Sequence, residues 1–154
     1  MSARLPFRTG LGLFLLVALA AGAAAGVRVK LEAVPKPAVK AVQDRFDRAA
    51  IRYVDRETNG TYEFALKEGD RLFDVGVSAE GKLLNIKEEL AEDKLPKVVK
   101  DGLLKKHPGA KIVETEKVIV IDGQKEKVTY EMKLKVEKKT FEVVLDEVGT
   151  VIDD

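Results

Sequence analysis

Between Tyr62 and Lys67 the chain alternates. Tyr62, Phe64 and Leu66 point one way, and Glu63, Ala65 and Lys67 the other. That period of two belongs to a strand with one buried face. Leu72 to Ser78 continues it, with Phe73, Val75 and Val77 on the buried side and Asp74, Gly76 and Ser78 opposite. Glu68-Gly69-Asp70 is the intervening turn. Upstream, Ile51 to Arg56 reads as a strand, and Asn59-Gly60 as a two-residue type I′ hairpin turn. Downstream, Ala79-Glu80-Gly81 reads as a three-residue hairpin loop with glycine at the left-handed position, leading into a short strand from Lys82 to Ile86. Further upstream the period becomes helical. Pro35 suits a first turn, where its missing N–H has no partner anyway. Ala38, Val42 and Arg45–Phe46 then form one stripe, with Lys36, Lys40 and Asp44 outside it. Residues 26–34 are a lead-in without assigned structure.

The pattern then recurs. Tyr130 to Ile152 (YEMKLKVEKKTFEVVLDEVGTVI) aligns with Tyr62 to Leu84 without a gap, with identities at Tyr62/Tyr130, Glu63/Glu131, Leu66/Leu134, Lys67/Lys135, Phe73/Phe141, Val75/Val143 and Gly81/Gly149. Leu95-Pro96-Lys97 matches Val34-Pro35-Lys36, and Val99 and Leu103 stand where Ala38 and Val42 stood. Pro108-Gly109 stops this second helix. Residues 87–94 join the copies. The offset grows from 61 at the helix to 68 at Tyr130, so seven residues are inserted in the second copy's first hairpin. The segment Val118 to Lys127 (VIVIDGQKEK) extends the first strand and turns at Asp122-Gly123. Such an arm is either a functional projection or a strand that covers an edge. Val118, Ile119, Val120, Ile121, Asp122 and Gly123 are accordingly the candidate protein-binding residues. The expected fold is α+β: two tandem repeats, residues 26–90 and 91–154, each one helix packed on a four-stranded antiparallel sheet. Units this small are marginal alone, so the two sheets are expected to run together or pack closely.

The first 25 residues break this pattern. Arg4 and Arg8 precede an apolar run, Leu11 to Ala21, followed by small residues with Ala-x-Ala choices. This is the arrangement of a cleaved secretory signal peptide. Cleavage after Ala25 is favoured, with Ala20 and Ala23 open. An uncleaved anchor is the rival, and the run is short of the roughly 20 residues that span a bilayer.

Composition narrows the chemistry. The chain has no Cys, no Trp and one His, which excludes disulfides, thiolate sites and multi-His metal sites. Its 27 basic and 26 acidic residues are interleaved, which argues against a nucleic-acid footprint. His107, aligned with Phe46, reads as a partly buried ring replacing an aromatic one. The acidic pairs Glu88-Glu89, Glu92-Asp93 and Asp153-Asp154 lack the glycine-containing loop of a calcium site. The outward sheet positions carry Glu63, Lys67 and Asp74 in the first copy and Glu131, Lys133, Lys135, Glu142 and Asp146 in the second. They read as a docking surface or as cross-strand ion pairs on a wet face. Tyr53 and Val144 are the candidates there for exposed apolar contact.

The run LPKVVKDGLLKKHPGAKI, followed by YEMKLKVEKKTFEVVLDEVGTVI, resembles the PepSY-like family, which groups with beta-lactamase-inhibitor-like proteins. The resemblance rests on Leu95, Pro96, Pro108, Gly109, Ala110, Tyr130, Glu131, Phe141, Glu142, Val143, Asp146 and Gly149. In the first copy it rests on Pro35, Tyr62, Glu63, Phe73, Asp74, Val75 and Gly81. The first copy departs at Asp47-Arg48-Ala49, where Pro-Gly-Ala is expected. The resemblance spans about residues 34–154 and implies an exported protein that binds another protein. No inhibitory residue carries over from it. The functional expectation is a periplasmic or secreted, non-enzymatic protein-binding module without cofactor or metal, in its specific form an inhibitor of a hydrolase, beta-lactamase-inhibitor-like or protease-inhibitor-like. Its implied partner is a protein, with a secreted or periplasmic hydrolase as the specific form. Neither nucleic acid nor, after signal cleavage, a membrane is an expected partner. The alternative is a structural or envelope-stress protein with no inhibitory activity.

Overall fold

The computed structural model describes residues 26–154, so the signal-peptide expectation lies outside the described residues. In chain order the elements are β1 (Val27–Val29), α1 (Lys36–Arg45), β2 (Ala50–Arg56), β3 (Tyr62–Glu68), β4 (Arg71–Val77) and β5 (Leu83–Glu89). They continue with α2 (Lys97–Lys106), β6 (Lys111–Asp122), β7 (Lys125–Val136), β8 (Lys139–Asp146) and β9 (Val151–Asp153). A short 3-10 turn precedes each helix.

All nine strands form one antiparallel sheet in which spatial order is sequence order. The expectation of two units, each a helix on its own four-stranded sheet, is therefore incorrect. There is a single sheet with two helices on it. The cause is the lengthened β6. A β5 with nothing beside it would present a row of unpaired backbone amides and carbonyls. The extra length of β6 fills that place, pairing Asn85 through Glu89 with Val120 back to Glu116. The ninth strand comes from the lead-in, where Val27–Val29 pairs with Val54–Arg56.

Both helices lie against the same side. Each starts directly after a proline, Pro35 or Pro96, and ends on a ring, Phe46 or His107. Phe46 packs on Phe73 at 5.2 Å and His107 on Phe141 at 5.3 Å. α1 buries Ala38 and Val42 over Phe64, Leu66 and Val75, and α2 buries Val99 and Leu103 among Met132, Leu134, Val143 and Leu145. Burying a Val or Leu contributes about 1.5–3 kcal/mol, so one Val beside an Ala holds α1, and a Val with a Leu holds α2, only modestly. Ile119 and Ile121 of β6 pack into the cluster under α1. At the tip, Arg45 of α1 meets Glu126 at 3.1 Å.

Two turns differ from their expected form. At Asn59-Gly60 only Gly60 has positive φ, at 83°. The Glu57 N–H donates to the Thr61 carbonyl, and the Asn59 side-chain oxygen accepts from the Thr61 N–H. The loop is therefore Thr58-Asn59-Gly60, closed like Ala79-Glu80-Gly81. In the long hairpin, Asp122 still pairs with Lys125, so the turn is Gly123-Gln124 rather than Asp122-Gly123.

Candidate functional site

With both helices on one side, the opposite side of the sheet is open among the described residues. Pairing register places its residues in rows. One row runs Tyr53, Ala65, Asp74, Lys87, Val118, Thr129 and Asp146 from β2 to β8. A neighbouring row runs Glu89, Glu116, Glu131 and Val144. Asp55 and Glu63 pair on the other side of the first row.

Lys87 stands at the centre of this acidic field. Its Nζ is 3.9 Å from Glu116 and 3.8 Å from Glu131. Beside it, Arg52, Tyr53, Leu72, Asp74, Glu89 and Glu116 ring a shallow hollow of about 200 Å³, with Ala65 also among its lining residues. The Tyr53 ring carries the Arg28 guanidinium 3.6 Å from its centroid, and Arg28 in turn holds Asp55 at 2.5 Å.

Three carboxyls of this face are only half exposed, and all three bind protons more tightly than usual. Burial is the main cause for each of Glu63, Asp74 and Glu116. Neighbouring acids add to it, chiefly Asp74 on Glu63 and Glu131 on Glu116, while Lys87 opposes the rise at all three. Arg52, which also lines the hollow, opposes the rise at Asp74 as well. Added positive charge nearby would favour the ionised form of these carboxyls.

The six residues of the inserted arm are divided by the pleat. Val118 is buried at 4% exposure in the central row and Val120 is exposed on the same face. Ile119 and Ile121 turn inward to the core, while Asp122 and Gly123 sit at the exposed tip. The structure thus brings Val118 and Val120 to the open face beside Lys87 and sets Ile119 and Ile121 apart from it. Tyr53 and Val144 do lie on this face. Glu89 was read only as part of the acidic pair Glu88-Glu89, and Lys87, Arg52 and Glu116 escaped the sequence reading. Glu116 reaches Lys87 only because β5 pairs with β6, which no local pattern encodes. Among the described residues no group of three or more His, Cys, Asp or Glu is placed to hold a metal ion.

The sequence finds no match among family models or curated proteins, so the PepSY-like resemblance rests on its motifs alone. Solved structures do match. A DUF2874 family protein from Bacteroides ovatus superposes with a TM-score of 0.68 at 10% identity, over 77% of this chain and 84% of the other. A protein from Bacteroides eggerthii provisionally described as periplasmic gives 0.67 at 11%, over 77% and 86%. A BLIP-like protein from Bacteroides fragilis gives 0.63 at 14%, over 75% and 81%. At these identities the likeness shows a shared fold, that of the BLIP-like and DUF2874 proteins.

Proposed function

We propose that the chain is an exported, non-enzymatic module that binds another protein through the open face of its sheet. One observation carries this reading: a helix-free face whose half-buried carboxyls Glu63, Asp74 and Glu116 share Lys87 as a central cation. A partner side chain of Lys or Arg entering the hollow beside Tyr53 would favour the ionised form of these carboxyls. The periplasmic description of one structural neighbour and the BLIP-like description of another support placement in the periplasm or outside the cell. They also support a protein target. Inhibition of a secreted or periplasmic hydrolase is the specific form of the proposal.

The test is capture from a native envelope fraction with residues 26–154 as bait. Deleting Val118 to Lys127 is unsuitable, since it would remove the strand that pairs with β5. The informative bait carries Tyr53→Ala with Asp74→Lys, and its control carries Lys36→Glu on α1. A partner retained by the wild type and the control, and lost by the double variant, supports the face. Equal retention by all three refutes it. Capture of nothing by folded baits favours the structural, non-inhibitory alternative. A captured hydrolase whose turnover is unchanged by the protein removes inhibition from the proposal.

A further inference from the structure

The near-neutral total charge hides a local imbalance at one end of the sheet. Lys111 opens β6 and stands directly opposite Lys135 near the end of β7. Val136 then pairs with Lys139 across the turn Glu137-Lys138. The last turn of α2 adds Lys105 and Lys106, and His107 is anchored to the same place by its packing on Phe141. All six lysines are exposed. Among the described residues, only Lys106 of the six has a carboxylate within ion-pair distance, that of Asp154 at 2.7 Å. Like charges directly opposite on adjacent strands destabilise a sheet. The matching cross-strand pair in the first half, Ala50 with Lys67, carries no such conflict.

We infer that this lysine-rich end docks on an anionic membrane surface. Three observations favour a lipid surface over other anionic partners. The lysines wrap round the rim of the sheet, with Lys111 and Lys135 on the open side and Lys105 and Lys106 on the helix side, so they suit a plane pressed against the end. Every cation is Lys, a hydrated point charge, with no Arg fork to read a defined phosphate or carboxylate geometry. Exposed apolar side chains lie in the same stretches, Val136 at 36% and Val113 at 49%, as suits the headgroup boundary. The expectation of no membrane partner after signal cleavage turned on the N-terminal apolar run, and this lysine cluster lies apart from that run. The site is separate from the hollow beside Lys87 and does not rest on the partner proposed there.

The experiment is flotation of the mature chain with vesicles of phosphatidylcholine alone and of phosphatidylcholine mixed with phosphatidylglycerol, at low and high salt. Binding is expected only to the anionic vesicles and is expected to fall with salt. A lysine near such a surface contributes about fivefold in affinity, so Lys135→Gln, Lys138→Gln and Lys139→Gln together should weaken binding about 100-fold. One control should float like the wild type: Lys30→Gln, Lys36→Gln and Lys82→Gln combined. No flotation with anionic vesicles overturns the inference, as does equal loss in the control lysine triple. Retention on soluble polyglutamate as tight as on vesicles also overturns it, in favour of an acidic protein.

Discussion

Lys87→Met tests whether the centre of the open face is organised by its one lysine. The Lys87 side chain is 24% exposed, and its two partners are 40% and 39% exposed. At about 4 Å and an effective dielectric constant of about 20, each pair has roughly 4 kcal/mol of bare attraction. Partner exposure removes most of that, since fully exposed pairs contribute about 0–1 kcal/mol. Breaking a fully buried pair costs about 3–5 kcal/mol. The intermediate burial places the expected loss for Lys87→Met at about 1–3 kcal/mol at neutral pH. The variant also has a distinctive pH dependence. Glu63, Asp74 and Glu116 already bind protons more tightly folded than unfolded, and Lys87 restrains that rise. A group with a raised carboxyl pKa penalises the fold above its folded value, and the penalty is relieved as pH falls toward its unfolded value. Removing Lys87 enlarges the penalty. The deficit of the variant should therefore be greatest at neutral pH and shrink as pH falls through the raised carboxylate range. Urea unfolding followed by circular dichroism at several pH values measures both quantities. A variant as stable as the wild type at neutral pH, or a deficit independent of pH, would refute this account.

Two further predictions concern the frame. Ile86, 3% exposed and paired with both Val75 and Ile119, sits where the two halves of the sheet meet. Ile86→Ala should cost about 2–5 kcal/mol in urea unfolding, and a loss well under 1 kcal/mol would mean that the junction is not part of the cooperative core. Gly102→Ala should normally stabilise a helix interior by up to about 1 kcal/mol, but here the added carbon would strike the Gly149 backbone carbonyl. The expected net effect is a loss of about 1–2 kcal/mol, read as a lower Tm. A raised Tm would show that the loop yields, as the matching Ala41 of α1 shows can be accommodated in the first half.

The elements were largely legible, and their assembly was not. Tyr62, Phe64 and Leu66 announce a strand by alternation alone, and Pro35 and Pro96 mark helix starts, because these signals act within a few residues. The inward and outward sides of β3, β4, β7 and β8 follow from the same alternation. The joining of β5 to β6 does not, because Asn85 to Glu89 and Glu116 to Val120 carry no signal naming each other. Asn59-Gly60 misled for a related reason. The dipeptide suits a type I′ turn, yet a three-residue loop with one left-handed glycine satisfies the same backbone groups. Of the site, Tyr53, Glu63 and Asp74 were readable as outward positions. The burial that perturbs Glu63 and Asp74 arises only when the neighbouring strands β2 to β5 lie side by side.

The agreement between spatial order and sequence order has a kinetic consequence. Six of the eight strand pairings are hairpins that close over a few residues and can form early. The other two must wait for a helix to be spanned: β1 with β2 across α1, and β5 with β6 across residues 90–115. Relative to a three-residue loop, closing the latter span is about three doublings of length, or roughly 2 kcal/mol of added chain entropy. The seam at Ile86 and Ile119 is then among the last parts to zip. Its substitutions should accelerate unfolding far more than they slow folding.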